Sequence, residues 1–294
     1  MDYRTLAEGQ RCQIFIAGVD GGEPRLLLET TEILLEAPNW TLDGRALILN
    51  GHGDLWRLDV ETAELTQIPL EGIPALNNDH VLAPDGETIY LSANDWHIYR
   101  APLAGGHAER ITNDGVPEYH FLHGVSPDGA TLAYIGLEPV DGNPWARANV
   151  FTIPSAGGDD TKLTDTDSPA DGSEYSPDGQ WIYFNTEQFS ETPGHAQIAR
   201  MRPDGSDVEQ LTFDGVVNWF PHWSPDGALA VYLSFPAGTE GHPADLPVEL
   251  KLVEDGAWTE PTVAVRLFGG QGTINVNSWS PTSDRFAYVA YPLD

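Results

Sequence analysis

A Ser-Pro-Asp-Gly tetrapeptide recurs along the chain, and this repeat constrains the fold more than any other feature of the sequence. Identical copies begin at Ser126, Ser176 and Ser224, and altered copies begin at Thr41, Ala83 and Ser280. Proline suits the second position of a type I turn, aspartate bonds to nearby backbone amides, and glycine accepts the left-handed conformation that closes a hairpin. Each copy therefore predicts a tight turn between two strands.

A run of residues with high β-propensity follows each turn, for example residues 131–135 and 229–233. A further pattern, seen at residues 98–112, then supplies two more strands around a second tight turn. The turn aspartates of the first five copies are 42 to 50 residues apart. Four antiparallel strands repeated at this spacing are typical of a β-propeller, and six copies predict six blades.

The two ends of the chain complement each other. The last repeat ends two strands after its turn, and residues 14–28 match the pattern of a third and fourth strand. We therefore expect a single all-β domain over residues 1–294, in which residues 11–30 pair with residues 275–291 to close the sixth blade. Closure of this kind removes the free sheet edges of an open ring.

The chain is strongly acidic, with 14 Lys and Arg against 45 Asp and Glu and a formal net charge of −31. Such a surface repels phosphate groups, so the composition excludes a nucleic-acid-binding protein. Two explanations of the charge stay open. One is an arginine-preferring composition with solvated acidic faces, and the other is adaptation to high salt, where counterions screen the repulsion.

Cysteine content and hydropathy indicate the compartment. Cys12 is the only cysteine, and no apolar run approaches the roughly 18 residues that a membrane span needs. The first ten residues lack the basic and apolar regions of a secretion signal. These features predict a soluble, cytoplasmic protein that contacts no membrane.

The Ser-Pro-Asp-Gly blades resemble those of the TolB-like six-bladed propellers over nearly the whole chain. The resemblance implies the fold but no single activity, because such blades occur in protein-binding modules, in gating domains of peptidases and in some lyases. The peptidase version needs an α/β-hydrolase domain with a Gly-x-Ser-x-Gly elbow, and the sequence has neither. Exported TolB has similar blades and adds a signal peptide and an N-terminal domain.

A polar residue stands four or five positions before the turn aspartate, or the position equivalent to it, in every blade. These residues are Asn39, His80, His123, Glu174, His222 and Asn277. Because first strands line the channel of a propeller, His80, His123, Glu174 and His222 predict a centre for Zn²⁺, Mn²⁺ or Fe²⁺. The two offsets from the turn place side chains on opposite strand faces, so this centre requires a bulge. The alternative is a polar channel that holds ordered water.

Residues 220–225 resemble a histidine-bearing inner strand of oligogalacturonate lyases, which are propellers that hold a metal with channel histidines and a glutamine. This resemblance implies metal-dependent lyase chemistry. Those enzymes have seven blades, and they carry glutamine where this sequence offers Glu174.

Further polar and aromatic residues stand beside the first strands and in the loops that lead into them. We expect substrate-binding roles for Asn39, Asp79, Asp171, Asn218, Trp219, Gln271, Thr273 and Asn275. We expect His120 and His242 to be the catalytic residues that move a proton. The longest loops, residues 137–149, 187–197 and 235–248, fall on one face and predict a walled site there.

Two functions are consistent with these patterns. The first is a metal-dependent lyase or hydrolase that acts on a small polyhydroxylated or anionic substrate, such as a carbohydrate, at the channel mouth. The second is a non-catalytic TolB-like module that binds a protein or peptide partner on the same face.

Overall fold

The computed structural model describes residues 3–293, and for residues 144–146 the backbone alone. Residues 1, 2 and 294 of the predicted domain lie outside the described range. The regular elements of the described range are β-strands arranged as a six-bladed propeller, so the predicted fold class is confirmed. Within that range no helix has the length and apolarity needed to span a membrane.

Blades 1 and 2 each contain four antiparallel strands. The strands of blade 1 are Leu35–Trp40, Ala46–Gly51, Asp54–Asp59 and Leu65–Ile68. The strands of blade 2 are Leu76–Leu82, Thr88–Ala93, Ile98–Pro102 and Glu109–Arg110. Two short strands, Leu70–Glu71 and Gly106–His107, pair in parallel between these blades.

Blades 3 to 5 repeat the four-stranded arrangement. The strands of blade 3 are Tyr119–Val125, Thr131–Val140, Asn143–Pro154 and Thr161–Lys162. Those of blade 4 are Ala170–Tyr175, Ile182–Thr186, Gln197–Met201 and Glu209–Gln210. Those of blade 5 are Val217–Trp223, Leu229–Phe235, Leu246–Glu254 and Thr262–Gly269. Residues 137–149, expected as a loop, form an extended hairpin because they continue the ladder between strands two and three of blade 3.

Blade 6 is built from both ends of the chain, as predicted. Its regular strands are Arg285–Ala290, Cys12–Gly18 and Arg25–Thr30, and the first two pair antiparallel. Its inner segment is irregular, and it is held by a bridge between Trp279 and Phe286 and by a 2.9 Å hydrogen bond from the Ala287 amide to the Ser278 carbonyl.

The Ser-Pro-Asp-Gly turns form as their chemistry predicts. In blade 3 the Ser126 hydroxyl donates to Asp128 Oδ1 at 2.6 Å, and the Ala130 amide donates to the same oxygen at 3.0 Å. Gly129 has a φ of +73°, and its amide bonds to the Ser126 carbonyl at 2.8 Å. The turn sequence therefore satisfies its own polar groups and leaves the blade interfaces to apolar side chains.

The propeller is held together between its blades. Six clusters of buried apolar side chains fill the six blade interfaces, one at each. The cluster between blades 6 and 1 joins Cys12 and Ile14 to Leu35, Leu47 and Leu49. Because this cluster contains residues from the N-terminal strand, the contact that closes the ring is made by both chain ends.

Every regular inner strand contains a bulge. The pairing register of the first strand shifts in each of blades 1 to 5, at or just before the polar position that recurs in each repeat. The bulge turns the backbone sharply, with a φ of +56° at Ala37, +66° at Gly172 and +54° at Phe220. Simple strand alternation therefore does not determine which face the following side chains occupy.

Candidate functional site

The channel contains a cavity near each of its ends. The loop-face cavity, of about 380 Å³, lies beside the loops that join strands two and three. The turn-face cavity, of about 320 Å³, lies beside the Ser-Pro-Asp-Gly turns and includes Pro127, Pro177 and Pro225 in its lining. His123 lines both cavities and marks the level where they approach each other.

The side chains that line the loop-face cavity fall into two chemical sets, named here the apolar wall and the polar wall, and the two sets are in contact because Phe220 packs on both His123 and His242. The apolar wall consists of Trp96, Phe121, Ile135, Leu137, Ala148 and Phe220. The polar wall consists of Asn77, Asn78, Asp79, Asn94, His123, Asp171, His242, Gln271 and Asn275. This division is typical of a preformed binding site, in which apolar contact supplies affinity and a few polar groups fix orientation.

Five residues that the sequence predicted for the channel mouth line this cavity together. They are Asp79, Asp171, His242, Gln271 and Asn275. Trp219 stands behind them, 6% exposed, and its ring centroid is 4.5 Å from that of His242. The His242 Nδ1 atom bonds to Gln271 Oε1, and the Gln271 amide donates to Asn78 Oδ1 at 3.2 Å.

Two carboxylates of the polar wall are in different electrostatic environments. Asp171 is 2.8 Å from His123 Nε2 and 3.5 Å from His242 Nε2. Burial would raise the pKa of Asp171, but these two imidazoles hold it below its usual range. Asp79 bonds to the neutral amides of Asn77 and Asn275. Burial raises the pKa of Asp79 to about 6; His123 and, more weakly, His242 oppose this shift, and the neighbouring Asp171 adds to it.

Two aromatic residues of the apolar wall have unusual backbone conformations. Trp96 has a φ of +72° and Phe220 a φ of +54°, which is rare for bulky side chains and costs roughly 1–3 kcal/mol each. Hydrogen bonds hold both, from the Trp96 amide to the Ala93 carbonyl at 2.9 Å and from the Phe220 amide to Asn185 Oδ1 at 3.2 Å. Sequence reasoning missed Trp96, and the signal for it was the Asn-Asp turn just before it.

The four predicted metal ligands do not form one cluster. His80 Nδ1 bonds to Asn50 Oδ1, and burial lowers the pKa of His80 to about 3. His123 pairs with Asp171, and His222 pairs with Glu174 at 2.5 Å. Within the described residues, no three His, Cys, Asp or Glu side chains are arranged to hold a metal ion. The expected centre is not assembled because each imidazole has a partner from a neighbouring blade.

The remaining predicted site residues lie outside the loop-face cavity. His120 is buried between blades 2 and 3, its Nδ1 lies 2.8 Å from the Trp96 carbonyl oxygen, and burial lowers its pKa to about 4. Asn218 is fully buried and donates to Asp214 at 2.9 Å. Thr273 is buried and its hydroxyl accepts from the Gly270 amide at 3.0 Å. Asn39 lines the turn-face cavity instead.

Comparison with known proteins places the chain among relatives of the same length. An uncharacterized protein of Agrobacterium fabrum is 40% identical over 290 residues, which cover 96% of this chain and 92% of that protein. A solved structure from Agrobacterium tumefaciens with the provisional name TolB is 35% identical with a TM-score of 0.88, and the match covers 97% of this chain and 99% of that one. No family model matches the chain.

More distant matches share the blades. The Tol-Pal system protein TolB of Francisella tularensis is 25% identical over 235 residues, which cover 77% of this chain and 51% of that protein. The chain thus spans about half the length of that relative. A manganese complex of an oligogalacturonate lyase has a TM-score of 0.56 at 16% identity, with 90% of this chain and 73% of that one covered. That similarity shows a common fold.

These relatives also correct the expected location. The prediction of a cytoplasmic protein is wrong, because the related proteins are TolB-like and TolB is a periplasmic protein family. The identity, the coverage and the six closed blades agree with each other. The chain belongs to the TolB-like family of six-bladed β-propellers.

Proposed function

We propose that this protein is a non-catalytic binding propeller whose loop-face cavity receives a segment of a partner protein. The observation that carries the proposal is the cavity itself, which combines an apolar wall with a polar wall on a rigid ring of strands. A volume of about 380 Å³ accommodates a side chain or a short peptide turn. Function commonly concentrates on such loop ends of a rigid scaffold.

The polar groups of the cavity support binding more than reaction. Asp171 is fixed by His123 and His242, and His242 is fixed by Gln271. Groups held in this way are oriented before a ligand arrives, which lowers the entropic cost of binding. The Francisella relative is named as a protein of the Tol-Pal system, a name that refers to an assembly rather than to a reaction.

A metal-dependent lyase or hydrolase is the second candidate. Two observations favour it. One is the fold shared with the manganese-bound lyase. The other is that the buried His80 Nε2 and His123 Nδ1 atoms make no well-formed hydrogen bond among the described residues, although the backbone of Ile48 is near His80 and that of Asn275 is near His123. Both histidines line the turn-face cavity together with Glu174. A Zn²⁺, Mn²⁺ or Fe²⁺ ion would need nitrogen and oxygen ligands of this kind.

The donor set as folded does not fit such an ion. Both ring nitrogens of His222 are in hydrogen bonds, one to Glu174 and one to the Ile274 carbonyl at 2.7 Å. Glu174 Oε1 accepts from Asn277 at 2.7 Å and from the Trp223 amide at 3.3 Å. An anionic substrate is also disfavoured at the loop-face cavity, because Asp79 and Asp171 line it.

A peptide selection tests the proposed function. A random twelve-residue peptide library is panned on the intact protein, and the selected peptides are measured by fluorescence anisotropy. Ala148→Trp fills the loop-face cavity, and Leu42→Trp places the same ring at the turn-face cavity as a matched control. We expect Ala148→Trp to weaken binding at least about tenfold, as loss of a central interface contact does, and the control to change it less than about twofold.

Two results would contradict the proposal. One is that no selected peptide is sensitive to Ala148→Trp. The other is stoichiometric transition metal in protein purified without chelator, with binding or turnover that disappears when the metal is removed. Thermal unfolding of both variants shows whether a loss of binding reflects a loss of fold.

A further inference from the structure

We infer that the partner segment places a lysine or arginine side chain in the loop-face cavity, with its cationic head at Asp79 and Asp171 and its aliphatic stem along Trp96, Phe121 and Phe220. This inference rests on the proposed function. It names the chemistry by which the same cavity recognises its partner.

The charges of the polar wall support a cation. Asp79 is 5% exposed, and its described hydrogen bonds come from the neutral amides of Asn77 and Asn275. A buried carboxylate bonded to neutral donors attracts an ammonium or guanidinium group more strongly than a solvated one does. The described lining contains two carboxylates and two histidines, His123 and His242, and neither lysine nor arginine. Because His123 is already paired with Asp171, Asp79 is the carboxylate that a basic side chain of a partner would complement.

Asp171 contributes the second part of the cation site. Its Oδ1 atom faces His123 at 2.8 Å, whereas the contact of Oδ2 with His242 is longer, at 3.5 Å. The Asp171 side chain as a whole is also 21% exposed, so part of it remains accessible. A guanidinium or ammonium donor can therefore approach Oδ2 while the pair with His123 stays in place.

The apolar wall matches the stem of a basic residue. Lysine and arginine bury their methylene groups along apolar surfaces while the charged head stays with polar partners. A cation near the face of an aromatic ring gains additional attraction, most strongly with tryptophan. Trp96 and Phe121 pack edge to face with centroids 5.8 Å apart, and Phe220 lies beside His123. A purely polar or a purely apolar group would leave part of this mixed lining unmatched.

The surface as a whole favours the same partner. With 45 acidic against 14 basic residues, the protein carries a field that attracts basic segments over distances longer than a contact. Such a field raises the rate of association, and the cavity then provides the specific contacts.

The test replaces the basic residues of the selected peptides one at a time. Each lysine is changed to norleucine and each arginine to citrulline, which keep the stem and remove the charge. Affinities are measured on the wild-type protein, on Asp79→Asn and on Asp171→Asn. Glu61→Gln is the control, because it removes one exposed negative charge from a different part of the surface.

We expect one basic position in the peptide to dominate. Its neutral analogue should bind the wild type at least tenfold more weakly, and the difference should fall below threefold on Asp79→Asn. Glu61→Gln should change the affinity less than twofold. This pattern assigns the contact to the cavity rather than to the general field.

The outcomes separate the two proposals. Peptides that depend on the cavity but bind equally well after every neutral replacement would overturn the basic side chain and leave the proposed function intact. If Glu61→Gln and Asp79→Asn change the peptide affinity equally, the proposed contact between a basic side chain and the cavity is also wrong. If no peptide depends on the cavity, the proposed function fails and this inference fails with it. If Asp79→Asn does not fold, the neutral peptide analogues measured on the wild-type protein and on Asp171→Asn still show whether a basic side chain binds in the cavity.

Discussion

The imidazole of His222 in blade 5 lies 2.5 Å from the carboxylate of Glu174 in blade 4. On its other side, His222 Nε2 donates to the Ile274 carbonyl of blade 6 at 2.7 Å, and Asn277 of blade 6 donates to Glu174 at 2.7 Å. Because a carbonyl can only accept, the hydrogen of the contact with Ile274 is on Nε2. These two side chains therefore connect three blades at the channel.

Breaking this connection should destabilise the ring. His222→Ala leaves the Glu174 carboxylate buried without its main partner, and loss of one member of a buried pair costs about 3–5 kcal/mol. Urea unfolding should show this loss for His222→Ala. Adding Glu174→Ala to His222→Ala should lower the free energy of unfolding by less than Glu174→Ala does in the wild-type protein. His107→Ala, an exposed histidine, should change the free energy of unfolding by less than about 0.5 kcal/mol. Additive losses at positions 174 and 222 would show that the pair does not couple the blades.

Closure by the N-terminal strand should be needed for cooperative unfolding. Ile14 is fully buried in the cluster between blades 6 and 1, whereas Leu26 in the next strand is 45% exposed. Ile14→Ala should cost about 2–5 kcal/mol and Leu26→Ala less than about 0.5 kcal/mol. Deletion of residues 1–30 should remove the single unfolding transition. A truncated protein that keeps the wild-type midpoint in urea would contradict the role of the shared blade.

Salt should stabilise the protein. With a net charge of −31, repulsion between acidic residues opposes the compact state, and counterions reduce this repulsion. The melting temperature should therefore rise between 0.05 and 1 M sodium chloride, measured by circular dichroism. Sulfate is unsuitable because it also strengthens apolar burial. A melting temperature that does not change with sodium chloride would support a composition with solvated acidic faces alone.

The sequence predicted the ring better than it predicted the channel. The turn repeat determines where strands begin and end, and the half-repeats at the two ends predict the closed blade, because both depend on local chemistry. The mouth residues Asp79, Asp171, Gln271 and Asn275 were predicted because they stand beside the inner strands. These four residues line one cavity, as expected for residues beside neighbouring inner strands.

The partners of the channel histidines could not be predicted in the same way. His80 bonds to Asn50, and His222 bonds to Glu174 and to the Ile274 carbonyl, all on neighbouring blades. The bulge before each position rotates the side chain by an amount that strand alternation does not give. Trp96 was missed for a related reason, since a positive φ in a short turn directs its ring into the cavity.

The two carboxylates of the loop-face cavity should have opposite effects on stability. The pKa of Asp79 is raised to about 6, so the folded state binds a proton more tightly than the unfolded chain does. The stabilising contribution of protonated Asp79 to the free energy of unfolding is therefore lost as the pH rises from about 4 to 6. Above that range the ionised carboxylate destabilises the fold by roughly 3 kcal/mol relative to low pH. The pKa of Asp171 is lowered, so its ionised form stabilises the fold above the unfolded pKa.

Asp79→Asn should therefore raise the free energy of unfolding at pH 7.5 by roughly 1–3 kcal/mol and leave it nearly unchanged at pH 4. Asp171→Asn, with the same change of atoms, should lower it at pH 7.5, because the pair with His123 is broken. Urea unfolding at both pH values measures the four differences. A stabilised Asp79→Asn protein that also binds basic peptides more weakly would show that the buried carboxylate is kept for binding at the expense of stability. If Asp79→Asn and Asp171→Asn destabilise the protein equally at pH 7.5, the ionised Asp79 carboxylate does not weaken the fold, and this prediction is wrong.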